Sequence, residues 1–349
     1  MVPETDQAVR DEVNDRVPAG EAISPLRFYF RQTIPVGINP ADAAGLPELD
    51  AETIANVIGG LDENTDKRTG IQALRDAEAE AKLTPKVLIA PQFSQNAAVA
   101  QALLSVADEL RAVAIIDGPD ATVKQAIDTA TELTHKRAFM VDYWPRVFDP
   151  TRAEEVTEPP SARVAGLISK VDAEKGFHWS PSNQVINGVL GTSRPCDFSL
   201  QNRNTTGQIL NEAGVAVIAN VNGWRLMGNR TTSIDPLWVY LPVRRTADMI
   251  YEAIEQGHQW ALDRPFSAQL IRDLRDGVAT YLRQLQARGV ILGGNVWINS
   301  EFNTAADLQA GRLTIGFDFE PPAPAEHLIF RAERNGTYYD ELIRQVAAV

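Results

Sequence analysis

Residues 313–334 read LTIGFDFEPPAPAEHLIFRAER. In the first third of this stretch, large apolar residues alternate with small or polar ones, and this period of two predicts a strand with one apolar face. The apolar members are Leu313, Ile315, Phe317 and Phe319. The last third, residues 327–334, predicts a second strand. Its residues are His327, Leu328, Ile329, Phe330, Arg331, Ala332, Glu333 and Arg334.

The segment EPPAPAE, residues 320–326, separates the two predicted strands. A tight hairpin would need a short turn of the Asn-Gly or Gly-Gly kind. A proline-rich segment instead forms an extended, semi-rigid spacer of about 3.1 Å per residue. The last strand is therefore held away from the first, as expected of an arm that adds a strand to the sheet of another subunit.

Length and composition narrow the class of protein. A chain of 349 residues is long enough for about two domains. Its formal net charge of −13 argues against a general nucleic-acid binder, and no apolar run reaches the roughly 18 residues of a membrane span. Cys196 is the single cysteine, so no internal disulfide or zinc pattern is possible. The acidic N-terminus lacks a signal-peptide core, and we expect folding in a reducing cytoplasm.

Short apolar strands alternate with helices through the first half of the chain. The predicted strands lie at 86–90, 112–116 and 137–141, and the predicted helices between them at 96–111 and 121–133. Strands joined by helices of this length imply right-handed crossovers and a parallel sheet.

The second half has a different pattern, with two long predicted helices, at 245–263 and 267–288, followed by strands at 290–298 and 313–319. The predicted fold class is therefore α/β. An N-terminal parallel-sheet α/β domain precedes a C-terminal α+β domain that ends in an extended strand arm. The predicted division is an N-terminal extension at 1–30, the α/β domain at 31–200, the C-terminal domain at 201–320, and a linker with the arm at 321–349.

Two aspartates are the candidates for chemistry. Asp117 and Asp142 lie just past the ends of two predicted parallel strands, where α/β enzymes place catalytic or metal-binding carboxylates. Aspartate is also common there as a turn or helix-capping residue. No third carboxylate, nucleophile or phosphate-binding loop accompanies them, and the four histidines lack a metal-ligand spacing. We expect no catalytic residue, metal site or cofactor. The alternative is an α/β hydrolase-like or ligand-binding protein that uses both aspartates.

A basic stripe runs along the helix predicted at 267–288. On a helix of about 3.6 residues per turn, Arg272 and Arg283 fall within roughly 20° of each other, and Arg275 lies about 60° away. Apolar residues occupy the opposite side of this helix. The stripe is either a solvated face, with Asp276 pairing Arg272 at i, i+4, or a contact surface.

Several motifs of the chain resemble one family. In the second half they are GWRLMGNR (223–230), VRRTAD (243–248), HQWALDRP (258–265) and residues 313–318. In the first half they are NVIGGLDENTDKRTGIQAL, LIAPQFS, LRAVAIIDGP and SPSNQVINGVLGTSRP. Together they resemble the sheath subunit of contractile phage tails, in particular temperate phages and R-type, pyocin-like bacteriocins. The resemblance spans roughly residues 50–349.

The resemblance implies a structural protein without enzymatic activity. Such subunits stack as hexameric rings around a rigid inner tube and contract on a baseplate signal, which drives the tube through a target envelope. The implied location is a virion tail or particle sheath, assembled in the bacterial cytoplasm. The implied partners are further copies of the chain, the tube protein, and baseplate and tail terminator proteins, with no nucleic acid or membrane. A capping or baseplate protein that shares the fold without polymerising is a weaker alternative.

By the same resemblance, specific segments receive roles. The stripe of Arg272, Arg275 and Arg283 would face the tube, residues 313–319 would be an acceptor strand, and residues 327–334 a donor strand. Residues 1–30 do not resemble the family's N-terminal arm, which leaves open whether this end supplies an exchanged strand.

Overall fold

The structure, a computed structural model, describes residues 50–63 and 65–347. The predicted N-terminal extension at 1–30 and the first part of the predicted α/β domain, residues 31–49, lie outside the described residues. The described residues form thirteen strands: β1 Leu61–Asp62, β2 Lys67–Arg68, β3 Val87–Ile89, β4 Val113–Asp117, β5 Ala138–Asp142, β6 Pro145–Asp149, β7 Glu154–Thr157, β8 Gln184–Val185, β9 Val189–Thr192, β10 Val215–Asn220, β11 Trp224–Met227, β12 Val296–Trp297 and β13 Gly316–Phe317.

The same residues form ten α-helices: α1 Ala51–Ile58, α2 Ala77–Ala81, α3 Ala97–Glu109, α4 Val123–Leu133, α5 Pro160–Glu174, α6 Thr206–Glu212, α7 Leu241–Gly257, α8 Ala268–Ala287, α9 Ala305–Gln309 and α10 Tyr338–Ala347. Two 3-10 helices, Gly70–Asp76 and Gln259–Ala261, complete the regular structure of the described chain.

A six-stranded sheet with the order β3-β4-β5-β10-β11-β8 forms the centre of the first two thirds of the chain. The first four strands in this order are parallel, and the last two are antiparallel to their neighbours. Helices α1, α3, α4 and α6 pack on one face, and α5 packs on the other. The strands are buried on both faces, which explains their continuous apolar runs. The predicted α/β fold class is confirmed.

The sheet extends beyond the predicted end of the first domain. The predicted domain boundary lies between residues 200 and 201. However, β10 and β11, which come after it, belong to the same sheet as β3, β4 and β5. The apolar run of β10 is buried beside β5, so it cannot belong to a separate core. The change of architecture therefore comes after β11.

A second core lies beyond β11, between α7, α8 and the short β12–β13 pair. Ile250 of α7 packs there with Val278, Leu282 and Leu285 of α8. Helix α7 begins at Leu241, four residues before its predicted start, because Pro242 fits the first turn, where no backbone N–H is required.

The C-terminal end of the chain is extended and then helical. Residues 321–335 contain no helix or strand, and the predicted strand at 327–334 has no strand partner within the described residues. A strand is defined by its ladder, so this segment is extended backbone without a sheet. The predicted strand at 313–319 is present only as the two residues of β13, with a further bridge between Glu320 and Gly293.

Candidate functional site

The extended C-terminal segment, residues 321–337, is here called the arm. Its backbone makes no backbone–backbone hydrogen bond from residue 321 to residue 335 within the part of the chain that the structure describes. Leu328, Ile329 and Phe330 are 67, 80 and 90 % exposed. Three consecutive large apolar side chains at such exposure form a patch typical of a binding surface.

Helix α10 follows the arm and was missed by the sequence analysis. Its Tyr339, Leu342, Ile343 and Val346 have the spacing i, i+3, i+4, i+7 of a single apolar face, and all four are exposed. This spacing in YYDELIRQVA was the available signal. No element of the described residues covers this apolar helix face, which is the second uncovered surface at this end of the chain.

The predicted acceptor strand has one paired edge and one open edge. Asp318 and Glu320 donate backbone hydrogen bonds of 3.0 and 3.1 Å to Asn295 and Gly293. Alternate residues of an antiparallel strand face opposite edges, so the backbone groups of Phe317 and Phe319 point away from β12. The β12–β13 sheet has only two strands in the described chain, and this second edge is therefore free.

Aromatic packing fixes the acceptor strand on the body of the protein. Leu313, Ile315, Phe317 and Phe319 are half-buried, as the period of two predicts. The Phe317 and Phe319 rings stack at a centroid distance of 6.2 Å, and the Tyr251 ring of α7 meets them edge-on at 6.3 and 5.7 Å. The strand is thus a rigid platform, in contrast to the arm that follows it.

The predicted basic stripe lies on the exposed side of α8. Arg272, Arg275 and Arg283 are exposed, and the apolar residues of the helix face the second core. The expected Arg272–Asp276 pair is absent, because Asp276 pairs with Arg275 at 2.7 Å. Within the described residues, Arg272 and Arg283 contact only the neutral Gln269 and Thr280 side chains. Two cations of the stripe therefore remain available for an acidic partner.

Asp117 occupies a structural position, which is the alternative to a catalytic role for an aspartate at the end of a strand. Its carboxylate is fully buried and accepts hydrogen bonds from the Ser94 hydroxyl at 2.8 Å and from the Ser161 N–H and hydroxyl at 2.8 and 3.0 Å. Ser161 lies in the first turn of α5, so Asp117 joins the end of β4 to the start of that helix. Burial raises the pKa of Asp117 to about 6, and the hydrogen bonds from both serines oppose this rise.

Asp142 is satisfied in a different way. It is fully buried, and its carboxylate accepts a hydrogen bond of 2.6 Å from Arg194 and one of 3.1 Å from the Asp120 N–H. The Arg194 guanidinium also pairs with Asp120 at 2.8 Å and stacks over the Tyr143 ring at 3.9 Å. Neither aspartate offers a free carboxylate, so the two-aspartate hypothesis finds no exposed acid or base here.

The raised pKa of Asp117 predicts a pH dependence of stability. The folded chain binds this proton near pH 6, whereas the unfolded chain binds it only near pH 4. Protonation of the folded chain, as the pH falls through 6, therefore raises the free energy of unfolding. The rise is up to about 3 kcal/mol at pH 4 relative to pH 7. Asp117→Asn mimics the protonated acid. The stability difference between this variant and the wild type should change by about that amount between pH 4 and 7 in urea unfolding. Asp128→Asn, on the exposed face of α4, is the control, and a flat difference for both variants would contradict the prediction.

Ion pairs connect the amino ends of the parallel strands to α7. Lys86, Arg111 and Arg137 stand at or near the starts of β3, β4 and β5. Their partners on α7 are Glu252 at 2.7 Å, Glu255 at 2.6 Å and Asp248 at 2.9 Å. The three acids have the spacing i, i+4, i+7 and lie on one face of the helix. These pairs, here called the strand-start ion pairs, hold the second core against the sheet.

The strand-start ion pairs differ in burial. Arg137 and Asp248 are both almost fully buried, and Asp248 also accepts a hydrogen bond of 2.6 Å from Arg244. Arg137 donates further to the Ala112 carbonyl at 3.2 Å, just ahead of β4. The Arg111–Glu255 pair is more exposed. The sequence analysis did not find this network, although VRRTAD contains two of its members.

Residues 50–63 and 65–347 contain neither a cluster of metal ligands nor a membrane-spanning helix. No group of three or more His, Cys, Asp or Glu side chains in these ranges could hold a metal ion. No helix in these ranges combines the length and the apolar character needed to cross a membrane.

Comparison with known proteins identifies the family. Residues 66–232 match the family described as phage tail sheath protein central domain, and residues 233–334 match the phage tail sheath C-terminal domain. The chain belongs to the phage tail sheath family. The junction of the two matches falls just after β11, where the architecture changes.

Individual sheath proteins are similar over most of their length. A prophage major tail sheath protein of Pseudomonas aeruginosa (strain UCBPP-PA14) is 37 % identical over 302 residues, which cover 86 % of this chain and 77 % of that protein. The tail sheath protein of Escherichia phage P2 is 35 % identical over 298 residues, covering 85 % of this chain and 74 % of that protein.

Solved contractile assemblies share the fold. The helical sheath of the anti-feeding prophage in its contracted state superposes with a TM-score of 0.62 at 22 % identity, covering 79 % of this chain and 76 % of that one. The contracted sheath of the PVC extracellular contractile injection system superposes with a TM-score of 0.61 at 20 % identity, covering 76 and 75 %. The chain is thus a structural subunit of the tail sheath of a phage or phage-like particle, and not an enzyme.

Proposed function

We propose that this sheath subunit polymerises as stacked hexameric rings around an inner tube and contracts to drive the tube through a target envelope. The observation that carries the proposal is the arm, whose backbone from 321 to 335 is unpaired in its own chain while its apolar side chains are exposed. Unpaired backbone and apolar surface are both stabilised when a strand joins another sheet.

The acceptor is the open edge of β13 on a second copy. Residues 327–334 would add as a third strand beside Phe317 and Phe319, whose backbone groups face that edge. The Phe317 and Phe319 side chains of the acceptor strand stack on each other and hold its edge straight. The incoming strand therefore meets a preformed partner. Each subunit would donate one strand and accept one, which gives a head-to-tail contact that repeats through a polymer.

Helix α10 extends the same contact. Only residues 335–337 separate it from the donor strand, so its apolar face must reach the surface of the same neighbour. Burial of that face adds hydrophobic stabilisation to the backbone hydrogen bonds of the strand.

Electron microscopy of the purified full-length chain over a range of concentrations tests the polymer. Negative-stain images should contain rings or tubes above a critical concentration. Discrete single particles at every concentration would refute the proposed function. Neither Asp117 nor Asp142 offers an observation that favours the two-aspartate alternative.

The tube is the proposed partner of the basic stripe. Arg272 and Arg283 are exposed without an acidic partner in the described chain, and Arg275 lies beside them. Exposed ion pairs contribute about 0.2–1 kcal/mol each, so a single subunit would hold the tube weakly. Repetition around each ring makes the attachment firm, and the weakness of each contact allows release during contraction.

Baseplate and tail terminator proteins complete the proposed partners, and assembly in the bacterial cytoplasm is the proposed setting.

Charge reversal of the stripe tests the tube contact. The Arg272→Glu/Arg283→Glu variant should polymerise but lose the tube protein in co-sedimentation at physiological salt, because two favourable contacts per subunit become repulsive. Arg312→Glu, an exposed arginine outside α8, is the control. If the double variant kept the tube at the same salt concentrations as the wild type, the stripe would not be the tube-facing surface.

A further inference from the structure

A cluster of three side chains holds the arm where it leaves the body. The Arg230 guanidinium donates from Nε to both Glu326 carboxylate oxygens at 3.1 Å and from Nη2 to one of them at 2.7 Å. The Tyr240 hydroxyl donates to the same carboxylate at 3.2 Å. These residues are here called the clasp. Within the described residues, no other side-chain hydrogen bond or ion pair joins residues 321–334 to the body of the chain.

The body presents its half of the clasp on a rigid frame. Arg230 and Tyr240 face each other across an antiparallel bridge, with Thr231 donating to the Val239 carbonyl at 2.8 Å. The guanidinium also lies over the Tyr240 ring at 5.9 Å. Because both donors are fixed before the arm arrives, Glu326 meets a preorganised site.

The pairing is stronger than an ordinary surface ion pair. The Arg230 and Glu326 side chains retain only 34 and 25 % of their exposure, so solvent screens their charges less. The hydrogen bonds that Arg230 donates to the Glu326 carboxylate raise the pKa of Arg230, which agrees with a favourable interaction. Several parallel N–H···O bonds also fix the direction of the carboxylate, as a single contact would not.

The clasp divides the arm into two parts: residues 321–326, here called the root, are held at both ends, and the residues from 327 onward are free. Glu320 is anchored by backbone bonds to Leu292 and Gly293 at 2.7 and 3.1 Å. Pro322 and Pro324, which lie between the two anchors, line a groove beside Trp179 and Asn229. Beyond Glu326 the side chains are exposed up to the end of the described chain.

We propose that the Arg230–Tyr240–Glu326 clasp aims the arm at the neighbouring subunit and thereby sets how readily the strand is exchanged. The inference rests on the proposed function, in which residues 327–334 join a second copy. With the clasp closed, the free arm starts at residue 327. With it open, residues 321–326 also become free, adding about 20 Å of reach at roughly 3.3 Å per residue. A longer, unaimed tether lowers the effective concentration of the strand at its acceptor.

The first measurement examines the clasp in the unassembled subunit. A nitroxide label at Ala325→Cys, in a Cys196→Ser background, reports the mobility of the root by electron paramagnetic resonance. We expect Glu326→Gln to shorten the rotational correlation time of the label severalfold. Asp307→Asn, which removes the exposed Arg312–Asp307 pair, is the matched control and should leave it unchanged. If the rotational correlation time of the label were unchanged in Glu326→Gln, the clasp would not hold the arm.

The second measurement examines exchange itself, by light scattering of the unlabelled chain. We expect Glu326→Gln and Arg230→Glu to raise the critical concentration for polymerisation about tenfold. The Arg230→Glu/Glu326→Arg charge swap should restore it to within about twofold of the wild type. If Glu326→Gln made the label more mobile but left the critical concentration unchanged, the clasp would not aim the arm. The same conclusion would follow if the Arg230→Glu/Glu326→Arg charge swap made the label as mobile as either single variant does. Failure of the wild type to polymerise would instead refute the proposed function, while the label still decides whether the clasp holds.

Discussion

A chain truncated after Glu326 is expected to fold normally and to lose polymerisation. Within the described residues, the removed segment makes no backbone–backbone hydrogen bond to the body and its large side chains are exposed, so we expect the monomer to lose no core packing. The polymer loses a strand ladder and the burial of Leu328, Ile329 and Phe330. Burying such side chains stabilises by about 1.5–3 kcal/mol each, and each backbone hydrogen bond adds about 1 kcal/mol. A loss of several kcal/mol per contact exceeds a thousandfold in association.

Two measurements separate folding from assembly. The truncated chain should match the wild type in circular dichroism and in urea midpoint, while negative-stain images should contain no rings or tubes at concentrations where the wild type forms them. Truncated protein that still formed tubes of wild-type length would contradict the role of the arm. A truncated chain that unfolded at lower urea would instead place the arm within its own protomer.

A single substitution gives a finer version of the same test. Phe330→Asp places a charge in the proposed donor strand, and Phe302→Asp places one at another exposed phenylalanine, which is 63 % exposed outside the arm. The first change should raise the critical concentration strongly, because a buried unpaired charge is costly. The second should have little effect. Equal effects would mean that the arm has no special part in assembly.

The parallel sheet could be predicted because its strands are apolar on both faces and are separated by helices. Residues 113–117 and 138–142 are buried throughout, and short continuous apolar runs between amphipathic helices are typical of buried parallel strands. The extent of the domain was harder to predict. β10 pairs with β5 although about 70 residues separate them in the chain, and sequence spacing does not reveal such a long-range pairing.

The elements missed by the sequence analysis have weak local signals. Strand β6 begins with Pro145 and leaves Phe148 half in solvent, so neither its composition nor its alternation is typical of a strand. It is stabilised by pairing with β7 and β9 in a separate three-stranded sheet. Residues 327–334 have strand-like composition but no ladder partner within the described chain, so their role as a donor strand stays a prediction.

The polar contacts of the site were the least predictable part. The stripe on α8 follows from the helical period, whereas the partner of Asp276 depends on side-chain rotamers and proved to be Arg275. Asp117 and Asp142 are the last residues of β4 and β5, whereas the sequence places them just past the strand ends. Only their hydrogen bonds with Ser161 and Arg194 distinguish structural carboxylates from catalytic ones.

Asp248→Ala is expected to lower the free energy of unfolding by about 3–5 kcal/mol. Asp248 pairs with both Arg137 and Arg244, and all three side chains are nearly buried. Arg137 also pairs with the half-exposed Asp108 at 3.0 Å, whereas Arg244 has no second acid within the described residues. Removing one member of a buried ion pair leaves uncompensated charge in a region of low dielectric, and this costs more than the pair itself contributes. The loss would fall at the contact between the sheet and α7, which also seats the acceptor strand through Tyr251.

Glu255→Ala on the same helix is the matched control. Its partner Arg111 is far more exposed than Arg137, so solvent can replace the lost contact, and we expect a loss of at most about 1 kcal/mol. Urea unfolding of both variants at pH 7 measures the difference between them. Equal small losses would mean that the buried pair does not join the two cores. A large loss in Asp248→Ala, together with a raised critical concentration for polymerisation, would indicate that the strand-start ion pairs hold the acceptor strand in place for the neighbouring arm.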